Sequence, residues 1–117
     1  MESLCIRCVR NLDDSTTDDV IRIVPFGTDH YHITTTYGLT KKVYTQTMSY
    51  TNVFAYIHSL ITLLIHDDMP FKSVQLDFPN TPSVMLNIKS TLDCQRIYNA
   101  VHSMLHVTLD LWNLRTV

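Results

Sequence analysis

The chain has 117 residues, of which 45% are hydrophobic and 17% are charged. This length suffices for one globular domain, residues 1–117, and the composition excludes an intrinsically disordered chain. The net charge of −2 removes the simplest electrostatic case for a nucleic-acid-binding protein. Thr is abundant while Ala and Gly are scarce, which favours a sheet-rich domain.

Six stretches predict β-strands because they are β-branched, apolar or alternating with period two. They are residues 4–9, 20–26, 30–37, 42–47, 73–78 and 83–88. The acidic loop at residues 11–19 lacks the ligand pattern of a calcium site, so we expect it to be solvated. Residues 37–40 predict a hairpin turn in which Gly38 could supply a positive φ.

The most apolar segment, residues 50–66, predicts a helix without a single charged residue. Val53 and Ile57 belong to one apolar stripe, whereas Phe54, Ile61 and Ile65 form an adjoining one. A helix this apolar should be buried on more than one side. Its apolar run is shorter than the roughly 20 residues that cross a bilayer, so we expect no membrane association.

A second helix is predicted from a capping box at residues 90–93 to about His106. Residues 107–112 alternate with period two and predict a short last strand, with a continued helix as the alternative. The resulting order, ββββ-α-ββ-α with short connections, predicts an α+β fold. We expect an antiparallel sheet of about six strands with two helices packed on one face.

The apolar residues outnumber what two helices and a sheet can readily cover, which indicates an interface. The leading prediction is a non-enzymatic protein–protein interaction module, either a homo-oligomer or a small subunit of a larger assembly. Six residues are the candidates for that interface: Phe54, Ile61, Ile65, Leu109, Leu111 and Trp112. No catalytic motif or phosphate-binding loop is visible, so we expect no cofactor and see no small-molecule ligand.

The first alternative is a module that binds RNA or single-stranded nucleic acid on the open face of the sheet. A sheet face with basic and aromatic side chains serves this purpose in some RNA-binding domains. The candidates are Arg22, His30, His32, Lys42 and Tyr44.

The second alternative is a metal-dependent enzyme that uses His102 and His106, because two histidines four residues apart share one side of a helix. Cys5 and Cys8 have the spacing of a zinc or redox motif. If they lie on a strand, however, their sulfur atoms point to opposite faces and cannot bind one metal ion.

Three cysteines without a framework pattern and no signal-peptide pattern predict an intracellular, cytoplasmic protein with reduced thiols. The composition, rich in Thr, Tyr, His and Ile, is similar to that of small proteins of large DNA viruses. This similarity rests on composition and on no motif, and it implies the host cytoplasm or the virion as the location.

Overall fold

The structure is a computed structural model that describes residues 3–10, 14–65, 71–79, 82–89 and 91–115. The described strands are β1 (Leu4–Val9), β2 (Asp19–Pro25), β3 (His30–Thr36), β4 (Val43–Ser49), β5 (Ser73–Asp77) and β6 (Val84–Asn87). The described α-helices are α1 (Tyr50–Ile65) and α2 (Thr91–Arg115), and a short 3-10 helix spans Ser15–Thr17. The predicted order of strands and helices is confirmed.

The strands form one sheet in the order β4-β3-β2-β1-β5-β6, and every neighbouring pair is antiparallel. Short hairpins join β2 to β3, β3 to β4 and β5 to β6, which fixes their antiparallel pairing. Helix α1 follows β4 directly and returns the chain to β5. The predicted antiparallel α+β fold is confirmed, and β4 and β6 form the two edges of the described sheet.

The core lies between one face of the sheet and the two helices. Leu4, Ile23 and Ile33 are aligned across three neighbouring strands, and each is at most 1% exposed. Val53 and Ile57 of α1 belong to the same core cluster and are 0% and 1% exposed. Each such side chain contributes about 1.5–3 kcal/mol when fully buried.

The two helices pack against each other in antiparallel directions. The ring of Phe54 lies 5.0 Å from the ring of His106, and that of His58 lies 4.9 Å from that of Tyr98, centroid to centroid. Ile61 lines the narrow space between the helices and is 1% exposed. Helix α1 is therefore covered on two sides, by the sheet and by α2.

The short last strand predicted at residues 107–112 is wrong, because α2 continues through this segment to Arg115. Apolar residues in this segment alternate with period two, but a different set of apolar residues has the spacing of a helix. Leu105, Leu109 and Trp112 are separated by four and three residues and are 1%, 0% and 4% exposed. Burial of this stripe against the sheet selects the helix over the strand.

The acidic segment at residues 11–19 is solvated only in part: residues 14–16 are exposed as predicted and residues 11–13 lie outside the described residues, but the last two carboxylates are buried. Asp18 and Asp19 are 4% and 1% exposed, and Arg10 binds both of them. Asp19 also accepts a hydrogen bond of 2.9 Å from the backbone N–H of Gly38. Position 38 requires glycine because a Cβ atom there would overlap the Thr17 backbone. The positive φ predicted for this turn is found at Lys41, with a value of 62°.

Candidate functional site

Three of the six predicted interface residues belong to the chain's own core. Ile61, Leu109 and Trp112 are at most 4% exposed, so they are not available to a partner. Phe54 is half-buried against the rings of α2, and the side chain of Ile65 lies outside the described residues. Leu111 is 51% exposed and remains a candidate. The apolar circumference of α1 is explained by α2 and the sheet.

A contiguous row of exposed apolar side chains lies instead on the outer side of α2. Val107, Leu111 and Leu114 are 61%, 51% and 72% exposed, and Met104 is half-buried beside them. These residues are three or four positions apart, so they form one straight stripe along the helix. The sequence contained this signal, but the prediction of a strand from residue 107 divided the stripe and concealed it.

This stripe forms one wall of an apolar groove. Phe78 and Pro79, which follow β5, form the opposite wall, and the groove has a volume of about 220 Å³. Val84 and Leu86 of β6 pair with the buried Leu76 and Val74, so they lie on the same face of the sheet as the helices. We call the surface formed by Phe78, Pro79, Met104, Val107 and Leu111 the α2 groove.

The groove lies where the helix layer is narrower than the sheet. Six strands span about 24 Å between the two edges of a sheet, whereas two packed helices cover about 20 Å. Val84 is 37% exposed although it lies on the helix-bearing face. The helices therefore leave the β6 side of this face partly uncovered.

The two candidate metal ligands on α2 are close to each other but serve as packing partners. The rings of His102 and His106 are 5.6 Å apart, and both contact the ring of Phe54. Among the residues that the structure describes, no group of three or more His, Cys, Asp or Glu side chains could hold a metal ion.

His106 instead belongs to a surface hydrogen-bond network between the helices. The Tyr50 hydroxyl donates to Asp110 Oδ1 at 2.7 Å, and His106 Nδ1 lies 3.3 Å from Asp110 Oδ2. The bond to Asp110 raises the pKa of Tyr50 to about 12, and the same bond lowers the pKa of Asp110 below its ordinary value. This network connects the start of α1 to the last turns of α2.

The two cysteines of β1 do not form a metal or redox pair. Cys8 lies on the core side, since its neighbour along the face, Ile6, is fully buried, while Cys5 pairs with Arg22 on the opposite face. Burial raises the pKa of the Cys8 thiol to about 12, so it stays protonated at neutral pH. Cys8 is therefore a packing residue.

The candidate nucleic-acid residues do not share one surface. Arg22 and His32 lie on the open face, where His32 contacts the Thr47 hydroxyl at 2.6 Å and the Phe26 ring at 4.0 Å. Tyr44 pairs with Thr35, which is buried on the helix-bearing face, so the parity assigned to Tyr44 from the sequence is wrong.

The two remaining candidates lie at the ends of neighbouring strands. His30 is at the start of β3, and its ring contacts the Thr28 backbone oxygen at 3.1 Å. Lys42 precedes β4 and is exposed. The structure therefore distributes the five residues over two faces and two strand ends.

No described helix is both long enough and apolar enough to span a membrane. Comparisons of the chain with protein-family models, with curated proteins and with solved structures gave no significant match.

Proposed function

We propose that this protein is a non-enzymatic protein-interaction module whose α2 groove receives an amphipathic helix of a partner protein. The observation that carries the proposal is the exposed pair Val107 and Leu111, which lines the groove opposite Phe78 and Pro79; the exposed Leu114 continues the stripe along the helix. Contiguous apolar surface of this kind usually marks a binding site.

The spacing of the stripe supports a helix as the partner element. Residues separated by three and four positions form a ridge along one helix, and such a ridge packs into the grooves of another helix. An extended peptide binds through main-chain hydrogen bonds to a sheet edge, whereas the outer side of α2 offers apolar side chains. Val84 and Leu86 of β6 lie on the same face of the sheet as the helices, so a partner helix that extends from the groove towards β6 would contact both α2 and the sheet.

The inner and outer sides of α2 support different roles for the same helix. Leu105, Leu109 and Trp112 hold the helix on the sheet, since they are almost completely buried. The outer stripe makes no comparable contribution to the core and can be covered without unfolding the domain. A partner helix with apolar residues at positions i, i+3, i+4 and i+7 would complete the helix layer.

The experiment is site-specific photo-cross-linking in extract from the organism that encodes the protein. A benzophenone amino acid replaces Val107, and a matched copy carries it at Arg22 on the open face of the sheet. We expect a covalent product at position 107 and none of the same mass at position 22. Mass spectrometry of that product should map the cross-link to an amphipathic helix of a different protein.

A second variant tests the dependence on the groove. Leu111→Asp in the chain that carries the probe at position 107 should abolish the product, because a carboxylate in an apolar groove opposes docking. Leu111 is exposed, so the fold should tolerate this change. A product that is equally abundant at position 22, that survives Leu111→Asp, or that contains two copies of this chain contradicts the proposal.

The intracellular location, inferred from three cysteines, and the viral origin, inferred from composition, stay predictions.

A further inference from the structure

The β4 edge of the sheet differs from the β6 edge beside the α2 groove, because β4 is long and uncharged. From Val43 to Ile65 the sequence contains no Asp, Glu, Lys or Arg. Residues 43–47 of β4 are all exposed, with Val43 and Tyr44 at 58% and 50%. The pairing of β4 with β3 runs without interruption over seven residue pairs, so no bulge bends this edge away.

Sheet edges of this kind are normally protected. A charged side chain, a proline, a bulge or a very short strand usually prevents pairing with another chain. The seven residues of β4, VYTQTMS, contain neither a charge nor a proline. The exposed backbone of β4 is therefore a surface on which another strand can pair.

The outer flank of α1 extends this uncharged surface into the helix layer. Asn52 and Ser59 are exposed, Tyr56 is half-buried, and all three lie on the side of α1 opposite Phe54 and His58, which contact α2. These polar but uncharged side chains leave room for a second helix to approach without repulsion between charges.

The hydrogen bonds at both ends of β4 show which backbone groups point outward. Tyr37 donates to the backbone oxygen of Lys42 at 2.9 Å, and the Tyr50 N–H donates to that of Asp29 at 3.3 Å. The backbone N–H and C=O groups of the even-numbered residues of β4 therefore form hydrogen bonds with β3. Residues alternate along a strand, so the N–H and C=O groups of Val43, Thr45, Thr47 and Ser49 point to the exposed edge.

We propose that β4 of one copy pairs with β4 of a second copy in antiparallel orientation, with Gln46 on the twofold axis. The two six-stranded sheets then form one continuous sheet, and the outer flanks of the two α1 helices approach each other across the axis. The proposal is independent of the α2 groove, which lies at the other edge of the sheet.

Two conditions determine the register of the two β4 strands: which face of the sheet each residue points to, and how many residues of the strands can pair. Facing residues must point to the same face of the joined sheet, so odd residues pair with odd ones. Maximum overlap of the seven residues of β4 then places Thr45 opposite Thr47 of the other copy. Both residues point their backbone groups outward, so each such pair exchanges two hydrogen bonds. Thr–Thr pairs are favourable on a sheet surface.

In the same register, the side chains of the two copies are also complementary on the helix-bearing face of the joined sheet. Tyr44 faces Met48 of the other copy, an aromatic–sulfur contact that would cover the exposed ring. In the continued register Lys42 faces Tyr50, and Asp29, the residue just before β3, lies beyond Tyr50 at about 10 Å from Lys42 between Cα atoms. A lysine side chain spans most of that distance, so the symmetry creates two attractive pairs of opposite charge.

These features favour a second copy over an unrelated strand. A twofold interface brings every residue of a patch against the same patch, so a charged patch would repel itself. Here the strand is uncharged. The nearest charges at its two ends, Lys42 and Asp29, have opposite sign, and the twofold axis brings Lys42 of each copy towards Asp29 of the other. Self-association therefore requires no compensating partner.

The test is sedimentation equilibrium of the full chain with a charge-swap design. We expect the wild type to reach twice the 13.5 kDa mass of one chain as concentration rises. Thr45→Lys with Thr47→Lys places like charges opposite each other across the axis and should weaken the dimer by about tenfold or more. Thr45→Glu with Thr47→Glu should do the same.

The mixture of the two variants keeps the test independent of folding. A lysine copy and a glutamate copy combined in equal amounts should form a heterodimer at least as stable as the wild-type dimer, since each Lys faces a Glu. Leu111→Asp is the matched control and should leave the dimer unchanged. A wild type that stays monomeric at about 0.5 mM, a lysine variant that still dimerises, or dimer loss in Leu111→Asp overturns the proposal.

Discussion

The two edges of the sheet differ in how they meet the solvent. The β6 edge is four residues long, Pro82 precedes it, Lys89 follows it, and an apolar groove lies beside it in the helix layer. The β4 edge is seven residues long and uncharged, and it has no comparable protection. The first edge is short and is bordered by exposed apolar side chains, whereas the second offers a long run of unpaired backbone groups.

This difference indicates two kinds of binding. Apolar side chains along α2 fit the ridge of another helix, whereas the backbone groups of β4 fit another strand. A domain with both surfaces can form a symmetric pair through β4 and carry one partner helix on each copy. The groove and the dimer edge lie on opposite sides of the sheet's strand order, so the two events need not compete.

The largest expected effect separates the two sides of α2. Trp112→Ala should lower the free energy of unfolding by about 3–5 kcal/mol, because it removes a core ring that stacks on Tyr31 at 6.2 Å. Leu111→Ala should change it by only about 0.5 kcal/mol, since Leu111 is exposed. Urea unfolding of both variants measures this. Equal losses would mean that the outer stripe belongs to the core.

The next effect concerns the turn that leads to β4. Gly38→Ala should lower the free energy of unfolding by about 1–3 kcal/mol, because the added Cβ overlaps the Thr17 backbone. Gly27→Ala is the matched control: its φ of 65° disfavours alanine, but no atom lies within 4 Å of the added Cβ. We expect a smaller loss there, about 1 kcal/mol, in the same urea experiment. A larger loss in Gly27→Ala would contradict the tight approach at Gly38.

A proline pair tests the direction of the backbone groups of β4. Gln46→Pro removes an N–H that bonds β3 and should cost about 1–2 kcal/mol more than Thr45→Pro, whose N–H points to the exposed edge. Thermal unfolding at low protein concentration, where the chain is monomeric, gives the difference. If Thr45→Pro proves the more damaging substitution, the proposed register of the dimer is incorrect.

The smallest effect concerns the network between the helices. Because Tyr50 donates to Asp110, the neutral hydroxyl is favoured in the folded state and the pKa of Tyr50 rises to about 12. Its contribution to stability is complete below the ordinary pKa of tyrosine and disappears as pH rises through about 12. Absorbance titration of tyrosinate should lose its most alkaline step in Tyr50→Phe. If the step that disappears lies instead in the ordinary pKa range of tyrosine, this hydrogen bond does not persist in solution.

Asp110 should respond in the opposite pH range. Its pKa is lowered by the bond from Tyr50, so its contribution is present above the ordinary pKa of Asp and is lost as pH falls through the lowered value. NMR titration of the carboxyl carbon should show the pKa of Asp110 rising towards its ordinary value in Tyr50→Phe.

The fold could be predicted from the sequence because local patterns and burial agree for most elements. Alternation at β1 and β3 and the uncharged apolar run of α1 gave the strand and helix order that the structure confirms. The end of α2 could not be predicted, because Val107, Leu109 and Leu111 satisfy a period of two while Leu105, Leu109 and Trp112 satisfy a helical one. Only packing against the sheet decides between them.

The candidate surfaces were less accessible to sequence reasoning than the fold. The apolar run of α1 predicted that something must cover the helix, and the structure shows that α2 covers the side of Phe54 and Ile61. The groove depends on how far α2 extends and on where β6 lies. The exposed edge depends on strand order, which places β4 rather than β2 at the side of the sheet.

A concentration series followed by residue-resolved NMR tests the division of roles between the two edges most directly. As concentration rises, we expect the backbone amides of Val43, Thr45, Thr47 and Ser49 to gain protection from hydrogen exchange. The methyl signals of Met104, Val107 and Leu111 should stay unchanged, because no copy of this chain enters the α2 groove. Shifts of those methyl signals with unprotected β4 amides would contradict the account.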